Sequence, residues 1–331
     1  MNRIVSLNQS RRNLLFEATA REMKVSPVVI EKDFWVCFVL NYLMNESKFK
    51  EYFIFKGGTS LSKCYGVIKR FSEDIDLVLK WDKLGFTDEE VYLKRTKNQD
   101  NKFETLMNEK GAAFIQGELK EELKKNLEVL VEGLSVESDE EDPMVLYVYY
   151  PTSYRDEYIK QAVKLEIGPV SPTTPNEECF IEPYCFKAFS VKDKKSINVK
   201  TVSLARTFWE KVLILYAECN RPQEKKTPSR YSRHYYDVYM IYKSRYFKNI
   251  VSDRNLFESV KLFKSKYYRT SWSRIEDCSL KEIVIVPSEA RLKDLLSDYK
   301  NMLEMIFDNP PTFEEIIMGM KDLEATLRQL G

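Results

Sequence analysis

The sequence predicts an α+β protein: a mixed sheet with helices over residues 1–200, followed by a helical domain over 201–331. Three observations carry this. Residues 53–79 (FIFKGGTSLSKCYGVIKRFSEDIDLVL) read as strand, glycine turn, short helix and strand. Two later runs, 144–150 (MVLYVYY) and 159–167 (IKQAVKLEI), are β-branched and aromatic and have the length of strands. Beyond residue 200 the apolar residues recur at helical spacing almost throughout.

The elements follow in order. Residues 9–23 have helical spacing. Ser26-Pro27 supplies an N-cap and a proline at the first helical position, starting a helix to about residue 44. Ile30, Phe34, Cys37, Phe38 and Leu40 are its expected buried set. Residues 52–81 hold the strand–helix–strand unit. Residues 87–130 are polar, with long charged helices, and 137–142 (ESDEED) should be an exposed loop. After the two strands comes a short one at 197–199. Helices are expected at 203–219, 232–243, 255–267, 288–307 and 312–330, with a basic loop at 221–233 (RPQEKKTPSRYSR). No internal repeat is visible.

The bulk composition excludes several functions. Lys and Arg number 52 against 51 Asp and Glu, so the chain is no general polyanion binder, and any nucleic-acid surface must be local. The six cysteines include no CxxC pair, which argues against a zinc site or a disulfide framework. Reduced thiols and a cytoplasmic location are the expectation, with no membrane contact, because no apolar run reaches spanning length. His234 is the only histidine, which removes His-based triads and HExxH metal sites. Chemistry must rest on carboxylates, Lys, Arg, hydroxyls and metal.

Residues 74–79 supply the carboxylates. Side chains alternate along a strand, so Asp74 and Asp76 share one face while Ile75, Leu77 and Leu79 face a core. Two carboxylates about 7 Å apart on one face are costly without a cation between them. A pair of Mg²⁺ ions holding a nucleoside triphosphate would supply it. Just upstream, Gly57-Gly58-Thr59-Ser60 opens a helix whose free N–H groups and two hydroxyls form an anion site. A third carboxylate should come from a neighbouring strand. Glu166 is the candidate, sharing a face with Lys164 while Val163, Leu165 and Ile167 face inward. Glu210 competes, although it could simply pair with Lys211 or Arg206. Glycine turn, D-x-D strand and a later carboxylate together suit nucleotidyl transfer.

These residues also resemble a known family. GGTSLSK (57–63) followed by RFSEDIDL (70–77) closely resembles the AbiEii/AbiGii-type toxin family of nucleotidyltransferases, within the DNA polymerase β-like superfamily. The similarity extends to IEKDFWV (30–36), RTFWEK (206–211) and RHYYD (233–237), in the family's order. The resemblance implies a polymerase-β-like mixed sheet and transfer of a nucleoside monophosphate from an NTP to an acceptor. It also implies a toxin of a toxin–antitoxin or phage-defence system, with a cognate antitoxin as partner. Characterised relatives modify tRNA ends, which makes RNA the expected acceptor. Carried over, Gly58 and Ser60 hold the triphosphate within a motif that includes Gly57, Thr59 and Lys63. Asp74 and Asp76 bind Mg²⁺, and Lys211 contacts the nucleotide. Asp237 falls in the last block and either shares in catalysis or pairs with Arg233. Arg70 either binds the nucleotide or pairs with Glu73. Two basic-aromatic segments, 221–233 and 261–274, could contact RNA, with Tyr267, Tyr268 and Trp272 stacking on bases. Transfer to a protein or a small molecule, or nucleotide binding without catalysis, are the competing functions.

Overall fold

The computed structural model describes residues 1–156, 159–188 and 195–331. By its contacts the chain divides into two units: Met1–Cys64 with Ser72–Val202, and Tyr65–Phe71 with Ser203–Gly331. Among the described residues no helix is long and apolar enough to cross a membrane.

A seven-stranded mixed sheet organises the first unit. Its strands are β1 (Phe53–Lys56), β2 (Ile75–Leu79), β3 (Ser135–Ser138), β4 (Val145–Tyr149), β5 (Ala162–Gly168), β6 (Asn176–Ile181) and β7 (Ile197–Val202). Their order across the sheet is β3-β4-β5-β2-β1-β7-β6. β2 runs antiparallel to β1 and parallel to β5, while β1 is parallel to β7. Alternation then sorts the side chains. Phe53, Phe55, Ile75, Leu77, Leu79, Val163, Leu165 and Ile167 enter the main core. On the opposite face, Ile54, Val78 and Val202 form a small cluster of their own.

Helix Pro27–Asn41 belongs to the main core, with proline in its first turn as expected, and continues into a π-turn at Tyr42–Glu46. Ile30, Phe34, Cys37, Phe38 and Leu40 are all buried. The burial is not confined to one stripe, because Glu31, Lys32 and Asp33 are buried too. Trp35 stacks on Tyr150 at 5.3 Å, joining this helix to the end of β4.

Some elements differ from expectation. The supposed loop 137–142 starts inside β3, where Val136 is buried and Glu137 points outward. The acidic run that begins at Glu137 hid a strand only four residues long. β5 begins at Ala162 rather than 159, and residues 157–158 just before that run lie outside the described residues. β7 runs on to Val202. β6 was not foreseen. Its Glu177 and Glu178 are exposed, as suits an edge strand.

The second unit is helical, with Leu204–Cys219, Ser232–Tyr242, Arg254–Tyr267, Glu289–Met302 and Phe313–Leu330 as its main helices. Side-chain caps start several of them. Ser203 accepts from the Arg206 N–H at 3.2 Å, and Thr312 with Glu315 forms a reciprocal capping box. Trp209 and Phe257 meet at 5.0 Å between two of the helices. The segment Tyr65–Phe71 joins this unit through backbone bonds, Phe71 N to Met305 O at 2.6 Å and Phe307 N to Lys69 O at 2.8 Å.

Candidate active site

In the first unit the site grows from the end of β1. The chain turns into helix Gly57–Lys63 through Gly57, whose φ is +80°. That backbone region is open to glycine and strained for other residues. A second constraint is steric. A Cβ on Gly57 would overlap Asp76 Oδ2 and lie 2.6 Å from its Cγ. The Asp76 carboxylate therefore rests against bare backbone. Gly58 follows, half-buried, as the second residue of the helix. Thr59 and Ser60 are buried, and their hydroxyls brace the turn. Thr59 Oγ1 donates to the Asp74 carbonyl at 2.6 Å, and Ser60 Oγ donates to the Gly57 carbonyl at 2.9 Å.

Strand register brings the carboxylates together. Asp76 lies opposite Lys56 on β1 and opposite Glu166 on β5. Burial pushes the Asp74 carboxyl up to about 6, helped by the charges of Glu73 and Glu166 and opposed by Lys32 and Lys164. Burial also raises Asp76 well above the usual carboxylate range. Lys56 offsets part of this, while Glu166 and Asp74 add to it. Glu166 is ion-paired with Lys164 and partly exposed. Among the described residues no three His, Cys, Asp or Glu side chains converge closely enough to hold a metal ion unaided. The donor set still fits one. It is all carboxylate oxygen, suited to a hard divalent cation, and its members raise one another's pKa despite the nearby lysines. Mg²⁺ is commonly held by one or two carboxylates, the rest of its shell coming from water and substrate phosphate.

Lys63 turns toward the interior. Its ammonium pairs with the buried Asp33, sits 3.7 Å from the Tyr184 ring centroid and donates to the Glu182 carbonyl at 3.2 Å. Lys32, beside Asp33, lies 3.4 Å from Glu73 and donates to the Lys160 carbonyl at 2.7 Å. Sequence spacing marks this helix and its apolar set but gives its charged residues no place. Three consecutive charges inside an apolar helix were the available signal.

A second cluster lies within the helical unit. Asp237 is fully buried and accepts two bonds from Arg70, at 2.7 and 2.9 Å, and one from Lys211 at 3.0 Å. Although its burial acts the other way, Arg70 and Lys211 hold its carboxyl well below the usual carboxylate range. So Asp237 pairs with Arg70 and Lys211 rather than with its helix neighbour Arg233, and Arg70 takes this distant aspartate while Glu73 lies by Lys32. His234 lies 3.5 Å from Lys211 and stays neutral, its pKa pushed down by burial and then by the Lys211 and Arg233 charges. Glu210 is 3.6 Å from Arg206, in the local i,i+4 pairing.

The suggested base-stacking residues divide. Tyr267 is buried with Leu256, Phe257, Val260 and Phe263 on the inner face of helix Arg254–Tyr267, so it serves packing instead. Trp272 carries Arg221 over its ring at 4.3 Å. Tyr268 is exposed, with Lys264 above it at 4.5 Å.

Comparison with known proteins identifies the family and the fold. Residues 39–327 match the family described as nucleotidyl transferase AbiEii toxin, type IV TA system. No curated protein sequence matches the chain. Among solved structures, MenT4, a nucleotidyltransferase toxin from Mycobacterium tuberculosis, aligns at 18% identity over 96% of this chain and 94% of its own, with a TM-score of 0.52. A putative nucleotidyltransferase from H. pylori aligns at 16% identity over 91% and 93%, with a TM-score of 0.42. At such identity the MenT4 likeness establishes the fold, and the family match establishes the class of reaction. The chain belongs to the AbiEii family, the nucleotidyltransferase toxins of type IV toxin–antitoxin systems.

Proposed function

We propose that the protein moves a nucleoside monophosphate from an NTP onto an RNA acceptor, tRNA foremost, in a Mg²⁺-dependent reaction. One observation carries the metal-site reading: Asp76 sits in register between Lys56 and Glu166, and its carboxylate fills the space a side chain on Gly57 would need. Asp74, Asp76 and Glu166 would hold the ion. The chemistry such an ion would supply is a lowered pKa for the attacking hydroxyl and neutralisation of charge on the departing pyrophosphate. Gly57, Gly58, Thr59 and Ser60 line the triphosphate with backbone N–H groups, and Lys63 contributes by anchoring their helix. The family resemblance implies that Lys211 contacts the nucleotide, and within its own unit Asp237 holds its ammonium in place.

The RNA acceptor is supported by the family resemblance and by the exposed ring of Tyr268. A cognate antitoxin is the proposed partner, and growth arrest in the cytoplasm is the proposed outcome. The test offers each of four α-labelled NTPs with total bacterial RNA and, separately, with a protein lysate. Label in a tRNA-sized band supports the reading and names the nucleotide. Label confined to protein overturns the RNA acceptor while keeping the transfer chemistry.

A further inference from the structure

Burying a lysine and an aspartate side by side in a helix is costly. Each loses hydration that must be replaced by close partners, and apolar residues of similar size would often be more stable. Yet Lys32 and Asp33 are 1% and 2% exposed, inside a helix whose neighbours Ile30, Phe34, Trp35 and Val36 are core. Successive helical residues point about 100° apart, so the two side chains reach different elements.

Where they reach is informative. The Lys32 ammonium donates to the carbonyls of Lys160 and Ala162, at the start of the strand that carries Glu166, and lies 3.4 Å from Glu73, next to Asp74. Two hydrogen bonds and one ion pair thus join the ammonium to the two segments that deliver the carboxylates. Asp33 pairs with Lys63 at the end of the glycine-turn helix, and its second oxygen accepts from the Tyr184 N–H at 2.6 Å. A single dipeptide on a rigid helix therefore ties down both halves of the site.

We propose that Lys32 and Asp33 form a two-armed positioning device, the Lys32 arm setting the carboxylates and the Asp33 arm setting the triphosphate turn. The device rests on the transfer reaction proposed above. Neither residue touches substrate, and each acts through another.

The arms predict different kinetics. Lys32→Met releases Glu73 from the start of β5, so kcat falls by about 10–100-fold with KM for NTP little changed, as expected for loss of alignment in the transition state. Glu73→Gln, at a partly exposed position, should show the same pattern in milder form. Asp33→Asn loosens the glycine-turn helix, so KM for NTP rises about tenfold and kcat falls less. Asp33→Leu combined with Lys63→Met removes both charges of the buried pair, so no unpaired charge is left in the core; it loses only the neutral bonds to the Tyr184 N–H and the Glu182 carbonyl and should fold, while keeping the raised KM. Urea midpoints are recorded for all variants.

Folded Lys32→Met and Asp33→Asn proteins with wild-type kcat and KM would overturn the proposal. So would parallel losses of kcat and KM that merely follow stability. A wild-type protein that binds NTP yet transfers nothing removes the reaction instead. The Asp33 arm is then judged on affinity for a fluorescent NTP, and unchanged binding by Asp33→Asn rejects it.

Discussion

Replacing Asp237 by Asn tests the helical unit most sharply. The wild-type carboxylate is fully buried and accepts two bonds from Arg70 and one from Lys211. Asparagine preserves the shape but leaves two nearly buried cations facing each other without a counter-charge. Breaking a buried pair in this way costs about 3–5 kcal/mol. With a urea slope of roughly 2 kcal/mol per molar, the midpoint of the second unit should fall by about 2 M. The pH dependence has a definite sign. Asp237 is depressed in the fold, so its stabilisation is complete above the unfolded carboxylate value, about 3.9, and is lost only as pH falls toward the folded one. The deficit should therefore be constant from pH 5 to 8. Lys211→Met should cost less, because Arg70 keeps its two bonds to Asp237. Urea titrations followed by circular dichroism and tryptophan fluorescence measure both variants. A midpoint shift below about 0.3 M for Asp237→Asn, or a deficit that changes between pH 5 and 8, would contradict the ion-pair account.

The carboxylate site predicts the opposite behaviour. In chelator, Asp74→Asn should stabilise the protein at pH 7.5 by about 1–3 kcal/mol while abolishing transfer. The wild-type carboxyl is raised to about 6, so its favourable contribution is present below the unfolded value and lost as pH rises through 6. The gain should vanish near pH 4, and a variant less stable than wild type at pH 7.5 would show that Asp74 is satisfied by its protein neighbours. Gly57→Ala faces both the φ of +80° and overlap with the Asp76 carboxylate, so transfer should be lost and the unfolding midpoint lowered. A Gly57→Ala protein with normal kcat/KM would show that the turn relaxes at no cost. Glu166→Gln should cut kcat at least tenfold, whereas Glu210→Gln should stay within about twofold, because only Glu166 lies in register with Asp76. The reverse order would make Glu210 the third carboxylate.

Much of the first unit was legible because strands impose a period of two. The inward Ile75, Leu77 and Leu79 and the outward Asp76 follow from alternation along β2, which starts one residue after Asp74; Glu166 was legible on a strand, and its place beside β2 was expected from the chemistry. Gly57 was legible as a turn, but its contact with Asp76 depends on pairing between β1 and β2 and has no local signature. The Lys32–Asp33 pair was hidden for another reason. Helical periodicity assigns charges to the outer face, and here the helix is buried all round. The Arg70–Asp237 pair joins residues 167 positions apart, so sequence offered only the nearer partners Glu73 and Arg233. Edge strand β6 was masked by its glutamates, which an edge tolerates and a central strand would not.

The most direct test of the central claim is label transfer from α-labelled NTP to purified tRNA, titrated with Mg²⁺, for wild type and Asp76→Ala side by side. Wild type should transfer label in a reaction that stops in chelator and resumes with added Mg²⁺, and a folded Asp76→Ala protein should transfer none at any Mg²⁺ concentration. Equal transfer by the two proteins, or wild-type transfer indifferent to chelator, would rule out metal-dependent transfer at these carboxylates.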